Sequence, residues 1–202
     1  MEIAIERVLE FTRLLVGLQA VRREVSVPGR IEHENDVEHS YQLAMMAWYL
    51  NESGRLGLDP DIFMRYGLIH DLAEVYAGDS HIFDHEGRVG KDEREAAALS
   101  RIASEFPEFP DLVELVHQYE RQEDEESQFI YALDKLMPML MIFLEGGTTW
   151  RELNFDIDWL MAYTDLKTSG STVVQQLKRQ LEQLIRAHPE LFNEQNSTAT
   201  ST

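Results

Sequence analysis

The sequence predicts an all-α fold, a compact helical bundle formed as a single domain over residues 1–190. Three observations predict it. Apolar residues recur near a 3.6-residue period along most of the chain. Proline and glycine fall between the periodic segments, where helices start and stop. No alternating strand pattern and no internal repeat stands out. A chain of 202 residues suits one domain of ordinary size.

The elements follow in order. Ile3, Val8, Phe11, Leu15 and Leu18 define an amphipathic helix over roughly 2–20. The segment VRREVSVPGRIEHEND reads as a loop punctuated by Pro28 and Gly29. A long helix over 36–54 carries Val37, Leu43, Ala44, Ala47 and Leu50 on its apolar side, and Gly54 ends it. Asp59 and Pro60 form a cap and first-turn pair. They open one helix through Ile62, Tyr66, Ile69, Leu72, Ala73 and Val75, ending near Gly78. Residues 79–92 are polar, contain Gly87 and Gly90, and read as an exposed loop.

A charged helix covers 91–105. Pro107 and Pro110 bracket a break, and Leu112, Leu115, Val116 and Tyr119 mark a short helix after it. Residues 125–145 are apolar on several faces, as a central helix would be, and Pro138 is expected to kink it or mark a local break. Helices over 156–167 and 171–188 complete the fold. The last stretch, 191–202, reads as a disordered tail.

Composition narrows the function classes. There are 37 acidic and 18 basic residues, for a net charge of -19, which disfavours nucleic acid polymers and anionic membrane surfaces. An anionic substrate therefore needs a local cation. There is no cysteine, so disulfides, thiolate ligands and cysteine nucleophiles are excluded, and a reducing, cytoplasmic setting is expected. The start, MEIAIERVLEFTRLL, is acidic and lacks a basic leading region, so no signal peptide is expected. No uninterrupted apolar run reaches the ~18 residues that span a bilayer.

Three separated pieces carry candidate chemistry: Glu38-His39, His70-Asp71 and Asp134. His70-Asp71 falls inside a largely apolar helix, and Asp134 lies among Ala132, Leu133, Leu136 and Met137. Ionisable groups in such surroundings are costly unless paired or ligated. One divalent metal held by two imidazoles and two carboxylates would satisfy all of them. That nitrogen and oxygen set suits Mn²⁺, Co²⁺, Fe²⁺, Ni²⁺ or Zn²⁺ better than Mg²⁺. Taken singly, His70 reads more readily as a hydrogen-bonded core histidine than as a ligand, and Asp134 as the partner of the adjacent Lys135. Glu74 reads from its position alone as a solvent-facing helix acid.

The order His39, His70-Asp71, Asp134, set in the words ENDVEHSYQLAMMAWYL, GLIHDLAEVYAGD, GRVGKDEREAAALSRI and ALDKLMPMLMIFLEGG, resembles the HD-domain superfamily of metal-dependent phosphohydrolases. The resemblance is to the branch that contains YfbR-type 5′-deoxynucleotidases and HD-domain-containing protein 2, and it spans roughly 10–165. It implies a metal held by His39, His70, Asp71 and Asp134, and hydrolysis of 5′-(deoxy)nucleoside monophosphates. It implies that Glu74, four residues after His70, serves as general acid or base, and that Asp79 reaches the sugar hydroxyl. Arg22 matches an arginine that meets the phosphate, and Lys91, a further substrate-binding candidate, belongs with Glu93 to a matching block. Where the YfbR type carries a tryptophan after that arginine, this chain has Arg23. That departure leaves sugar selectivity open.

The resemblance also implies a homodimer. Two alternatives stand beside it. One is another phosphohydrolase of the superfamily, acting on cyclic nucleotides or nucleoside triphosphates. The other is a non-catalytic module that keeps its metal. A two-metal site of the phosphodiesterase kind needs further histidines; His81 and His85 fall in the polar loop and none follows on the helix. Glu74 and Asp79 are superfluous in a purely structural site.

Overall fold

The computed structural model describes residues 4–79 and 89–193. By backbone proximity the chain divides into two compact units. The first comprises residues 1–23 and 34–121, the second 24–33 and 122–202.

The first unit holds α1 (Ile5–Leu18), α2 (Asp36–Gly54), α3 (Pro60–Ile69), α4 (Glu74–Ala77), α5 (Lys91–Glu105) and α6 (Pro110–Arg121). Periodicity places α2 and α5 at their observed bounds and α1 within three residues. Leu14, Leu18, Leu72, Ile102, Phe106 and Leu112 form one buried cluster, with Phe11, Ile69 and Val75 packed against it. At ~25 cal/mol per Å² of apolar surface, each such side chain contributes about 1.5–3 kcal/mol on burial. Helices α2 and α3 pack closely because Gly67 has no side chain: a Cβ there would lie 3.3 Å from the Ala44 Cα.

Two differences from the sequence reading affect the candidate site. The segment read as a loop contains a two-stranded ribbon, β1 (Arg22–Ser26) with β2 (His33–Asn35). Strands of five and three residues are too short for alternation to show above noise. The helix expected from Pro60 to Ala77 is interrupted. Helix α3 stops at Ile69, residues 70–73 form a turn, and α4 begins at Glu74. Amides of Leu72, Glu74, Val75 and Tyr76 donate to carbonyls three residues back rather than four. This is the tighter 3₁₀ pattern that often marks a functional segment. No proline or glycine occurs between 70 and 77, so the sequence gives no break signal.

In the second unit α7 (Glu125–Glu145) packs against α8 (Thr148–Glu152), α9 (Ile157–Lys167) and α10 (Thr172–Arg186). Helix α7 runs through Pro138 without interruption and ends at Gly146 in the left-handed conformation. It is long and apolar enough to cross a membrane by length and composition, but 56% of its most apolar stretch is buried inside the protein. Lys178 is fully buried and pairs with Asp165 at 2.8 Å and Glu182 at 2.9 Å.

Residues 191 and 192, at the start of the expected tail, pack onto the second unit. Leu191 and Phe192 are buried, and the Phe192 ring stacks on Trp150 at 5.0 Å. Two large apolar side chains can be buried there because the short 3₁₀ turn Pro189–Leu191 brings them back to α8. The tail expectation for 194–202, and His81, His85 and Gly87 of the polar loop, lie outside the described residues.

Candidate metal centre

Helix α2 is started by a reciprocal cap. The Asn35 side chain accepts from the amides of Val37 and Glu38 at 3.0 Å, and the Glu38 carboxylate accepts from the Asn35 amide at 3.3 Å. Glu38, adjacent to the candidate ligand, is thus accounted for by the cap. The cap fixes the first turn, from which His39 projects inward at 1% exposure. His70 follows the last residue of α3, and its amide donates to the Tyr66 carbonyl at 3.0 Å. Its ring Nδ1 lies 3.1 Å from the Gly67 carbonyl, which fixes Nδ1 as the protonated nitrogen and turns Nε2 to the site. The two rings lie 5.3 Å apart.

His39, His70 and Asp71 each offer a ligand atom within 4.8 Å of the others. His70 Nε2 is 2.9 Å from Asp71 Oδ2. A second group, Asp36, Asp71 and Glu74, meets the same criterion and shares Asp71. Asp36 is fully buried, and Glu74 is 4% exposed. The position-only reading of Glu74 as a solvent-facing acid is therefore corrected. Glu74 stands four residues after His70 and lies on the same inward side, with Phe63 and Gly67.

Such crowding has an electrostatic signature. Burial first, then the negative charge of Asp71, pushes the Asp36 carboxyl up to about 7, against the pull of Arg23. Burial, then Asp71, Asp79 and Asp36, pushes Glu74 up to about 10, with Lys91 opposing. Among the described residues Asp36 Oδ2, Glu74 Oε2 and Glu34 Oε1 are buried with no hydrogen-bond partner. Buried carboxylate oxygens of this kind call for a cation. Two imidazoles and several carboxylates, without sulfur, form a donor set that fits a divalent metal.

The remaining expected residues fall as follows. Asp79 is half-buried and adds to the negative field on Asp36 and Glu74. Lys91, the first residue of α5, places Nζ 3.4 Å from Glu74 and 3.2 Å from Glu95. Arg22 is exposed. Its neighbour Arg23, on the opposite face of β1, enters the cluster. Its Nη1 is 2.7 Å from Asp71 Oδ2 and 3.5 Å from Asp36 Oδ1, and its Nε is 3.5 Å from Glu34 Oε2. Asp134 belongs to the second unit, is 3% exposed, and pairs with Lys135 at 2.6 Å.

The sequence reading missed Arg23 as a site residue, and Glu34 and Asp36 altogether. In the folded chain alternation across the ribbon brings in two of them: β1 exposes Arg22 and turns Arg23 in, and β2 buries Glu34 between half-buried His33 and Asn35, while Asp36 enters as the first residue of α2.

Fold and site together define a class: a predominantly helical protein built around a buried nitrogen-and-oxygen centre suited to a divalent metal. The HD domain model matches residues 17–178. The chain belongs to the HD domain family. Among curated proteins it is 34% identical over 130 residues to 5′-deoxynucleotidase HDDC2 of Mus musculus and 32% identical over 130 residues to that of Homo sapiens. Those alignments take in 63% of this chain and 64% and 62% of the relatives, so the match spans just under two thirds of their length. Among solved structures, the chain matches a predicted metal-dependent phosphohydrolase from Magnetospirillum magnetotacticum MS-1. The TM-score is 0.77 and the identity 28%, over 94% of this chain and 98% of that one.

Proposed function

We propose that the protein is a metal-dependent phosphomonoesterase that hydrolyses 5′-(deoxy)nucleoside monophosphates to nucleoside and phosphate. The observation that carries the reading is the group of buried His39 with half-buried His70 and Asp71, whose ligand atoms lie within 4.8 Å of one another. The names of the mouse and human relatives support the nucleotide substrate.

In this reading His39, His70 and Asp71 hold the metal. Asp134 enters as a fourth ligand from the sequence resemblance alone. When bound, the ion supplies Lewis-acid polarisation of the phosphoryl group and activation of water. The side chains divide the remaining work. Glu74, held protonated at neutral pH in the metal-free protein by burial and its acidic neighbours, is placed to donate or accept the transferred proton. Lys91 beside it opposes that rise and favours the ionised form of Glu74. Asp79 is assigned the sugar hydroxyl. Arg23, part-buried against Asp71 and Asp36, is the guanidinium we assign to the phosphate oxygens, with Arg22 as the alternative drawn from the resemblance. A cytoplasmic location and a homodimer complete the proposal; sedimentation velocity tests the latter.

The decisive experiment measures phosphate release from all 5′- and 3′-monophosphates, ribo and deoxy, with Mn²⁺, Co²⁺ or Mg²⁺ and with chelator. The expected result is metal-dependent release from 5′-monophosphates. Release confined to cyclic nucleotides or triphosphates would transfer the assignment to another phosphohydrolase class. Metal binding without turnover on any nucleotide would leave a non-catalytic module.

A further inference from the structure

The two histidines of the cluster need the same chemical preparation. A histidine that ligates through Nε2 carries its proton on Nδ1, and a hydrogen bond from Nδ1–H fixes both tautomer and ring orientation. For His70 the acceptor is the Gly67 carbonyl, 3.1 Å away. For His39 the group facing Nδ1 is a carboxylate, Glu34 Oε2, at 3.4 Å.

Glu34 is 1% exposed and sits on β2. A carboxylate this deeply buried is destabilising unless its charge is met. The same oxygen that faces His39 also faces Arg23 Nε at 3.5 Å. Glu34 therefore connects the ring that would bind metal with the guanidinium that pairs with Asp71. The connection is short in sequence as well as in space. Asn35, the next residue, caps α2, and the cap fixes the turn carrying His39. Strand register and helix cap together bring the carboxylate against the ring.

We propose that Glu34 is the positioning residue of His39: its carboxylate holds the Nδ1 edge of the imidazole, presents Nε2 to the metal, and tethers Arg23 through the same oxygen. The inference rests on the proposed reading only in taking His39 as a metal ligand. Glu34 lies outside both groups of candidate metal ligands. It acts through the ring, by fixing its tautomer, and through the arginine, by fixing its position.

The test compares wild type, Glu34→Gln and Glu34→Ala in the full chain, with circular dichroism confirming the fold. Two readouts are taken. Chelator-stripped protein is titrated with Co²⁺ by calorimetry. Metal-free protein is examined by long-range proton–nitrogen NMR of its histidine rings. The expected wild-type state of His39 is Nδ1 protonated and Nε2 bare. Glu34→Ala is expected to lose that preference and to weaken Co²⁺ binding by about 10–100-fold. Glu34→Gln keeps an acceptor oxygen, so it should retain the tautomer and restore part of the affinity.

Wild-type His39 protonated on Nε2 would overturn the proposal. So would wild-type Co²⁺ affinity in both variants, or in Glu34→Gln alone with the tautomer lost. Should Glu34→Ala fail to fold, Glu34→Gln and the wild-type tautomer decide. Should wild type bind no Co²⁺, the functional reading fails while the tautomer readout still judges Glu34.

Discussion

Stripping the protein of metal and raising the pH from 6 to 8 is expected to destabilise it steadily. The cause is the pair of buried acids beside Asp71. Glu74 is raised from 4.5 to about 10 and Asp36 from 3.8 to about 7. Both folded values lie above the unfolded ones, so the folded chain holds protons that the unfolded chain releases. The stability these groups contribute is fully present below pH ~4 and is lost as pH rises toward the folded values. Each such proton is worth about 1.4 kcal/mol per pH unit. Between pH 6 and 8 Glu74 loses about 3 kcal/mol, and Asp36, half-titrated at its midpoint, loses about half as much. The sum, about 4 kcal/mol, corresponds to a fall of about 10 °C in Tm for a chain of this size.

The assay is differential scanning fluorimetry in chelator at half-unit pH steps, repeated with saturating Mn²⁺. A bound cation favours the ionised carboxylates, so the loaded curve should be flatter and the metal-induced gain in Tm should grow with pH. Glu74→Gln should remove about two thirds of the metal-free slope, since a neutral amide has no proton to hold. A metal-free Tm that stays level or rises from pH 6 to 8 in wild type would refute the electrostatic account of the cluster.

Other outcomes follow from single contacts. Glu74→Gln should bind metal yet lose at least about 100-fold in turnover, the usual share of a general acid or base; full activity would remove Glu74 from the mechanism. Arg23→Met should destabilise the metal-free protein by about 3 kcal/mol, because three acids lose their shared cation, whereas Arg22→Met on the exposed face should stay within about 0.5 kcal/mol. Urea unfolding of the two variants compares them directly, and equal effects would contradict the ribbon's alternation. Gly147→Ala should cost about 2–4 kcal/mol. Its φ of 79° disfavours any side chain, and the added Cβ would meet the Leu191 carbonyl at 2.5 Å; an unchanged Tm would contradict the packing of 189–192 on α8.

The helical elements were legible in the sequence because their physics is local. Amphipathic spacing, the cap pair Asp59-Pro60 and the terminating Gly146 act within a few residues, and α2, α5, α7 and α9 begin and end where those signals stand. His39, His70 and Asp71 were visible for a related reason: polar groups in apolar runs need partners whatever the fold. What the sequence could not decide lies in how separate segments meet. The turn at 70–73 arises without a breaker residue, so only the folded backbone shows that α3 ends at Ile69. The choice between Arg22 and Arg23 depends on which face of a five-residue strand turns inward, and a shift of one residue in a strand exchanges the two faces. Glu34 and Asp36 look like ordinary surface acids in an acidic stretch. They become part of the centre because β2 and the cap of α2 deliver them to Arg23, Asp71 and His39. Local chemistry determined which residues required a partner; tertiary structure decided which partner each one found.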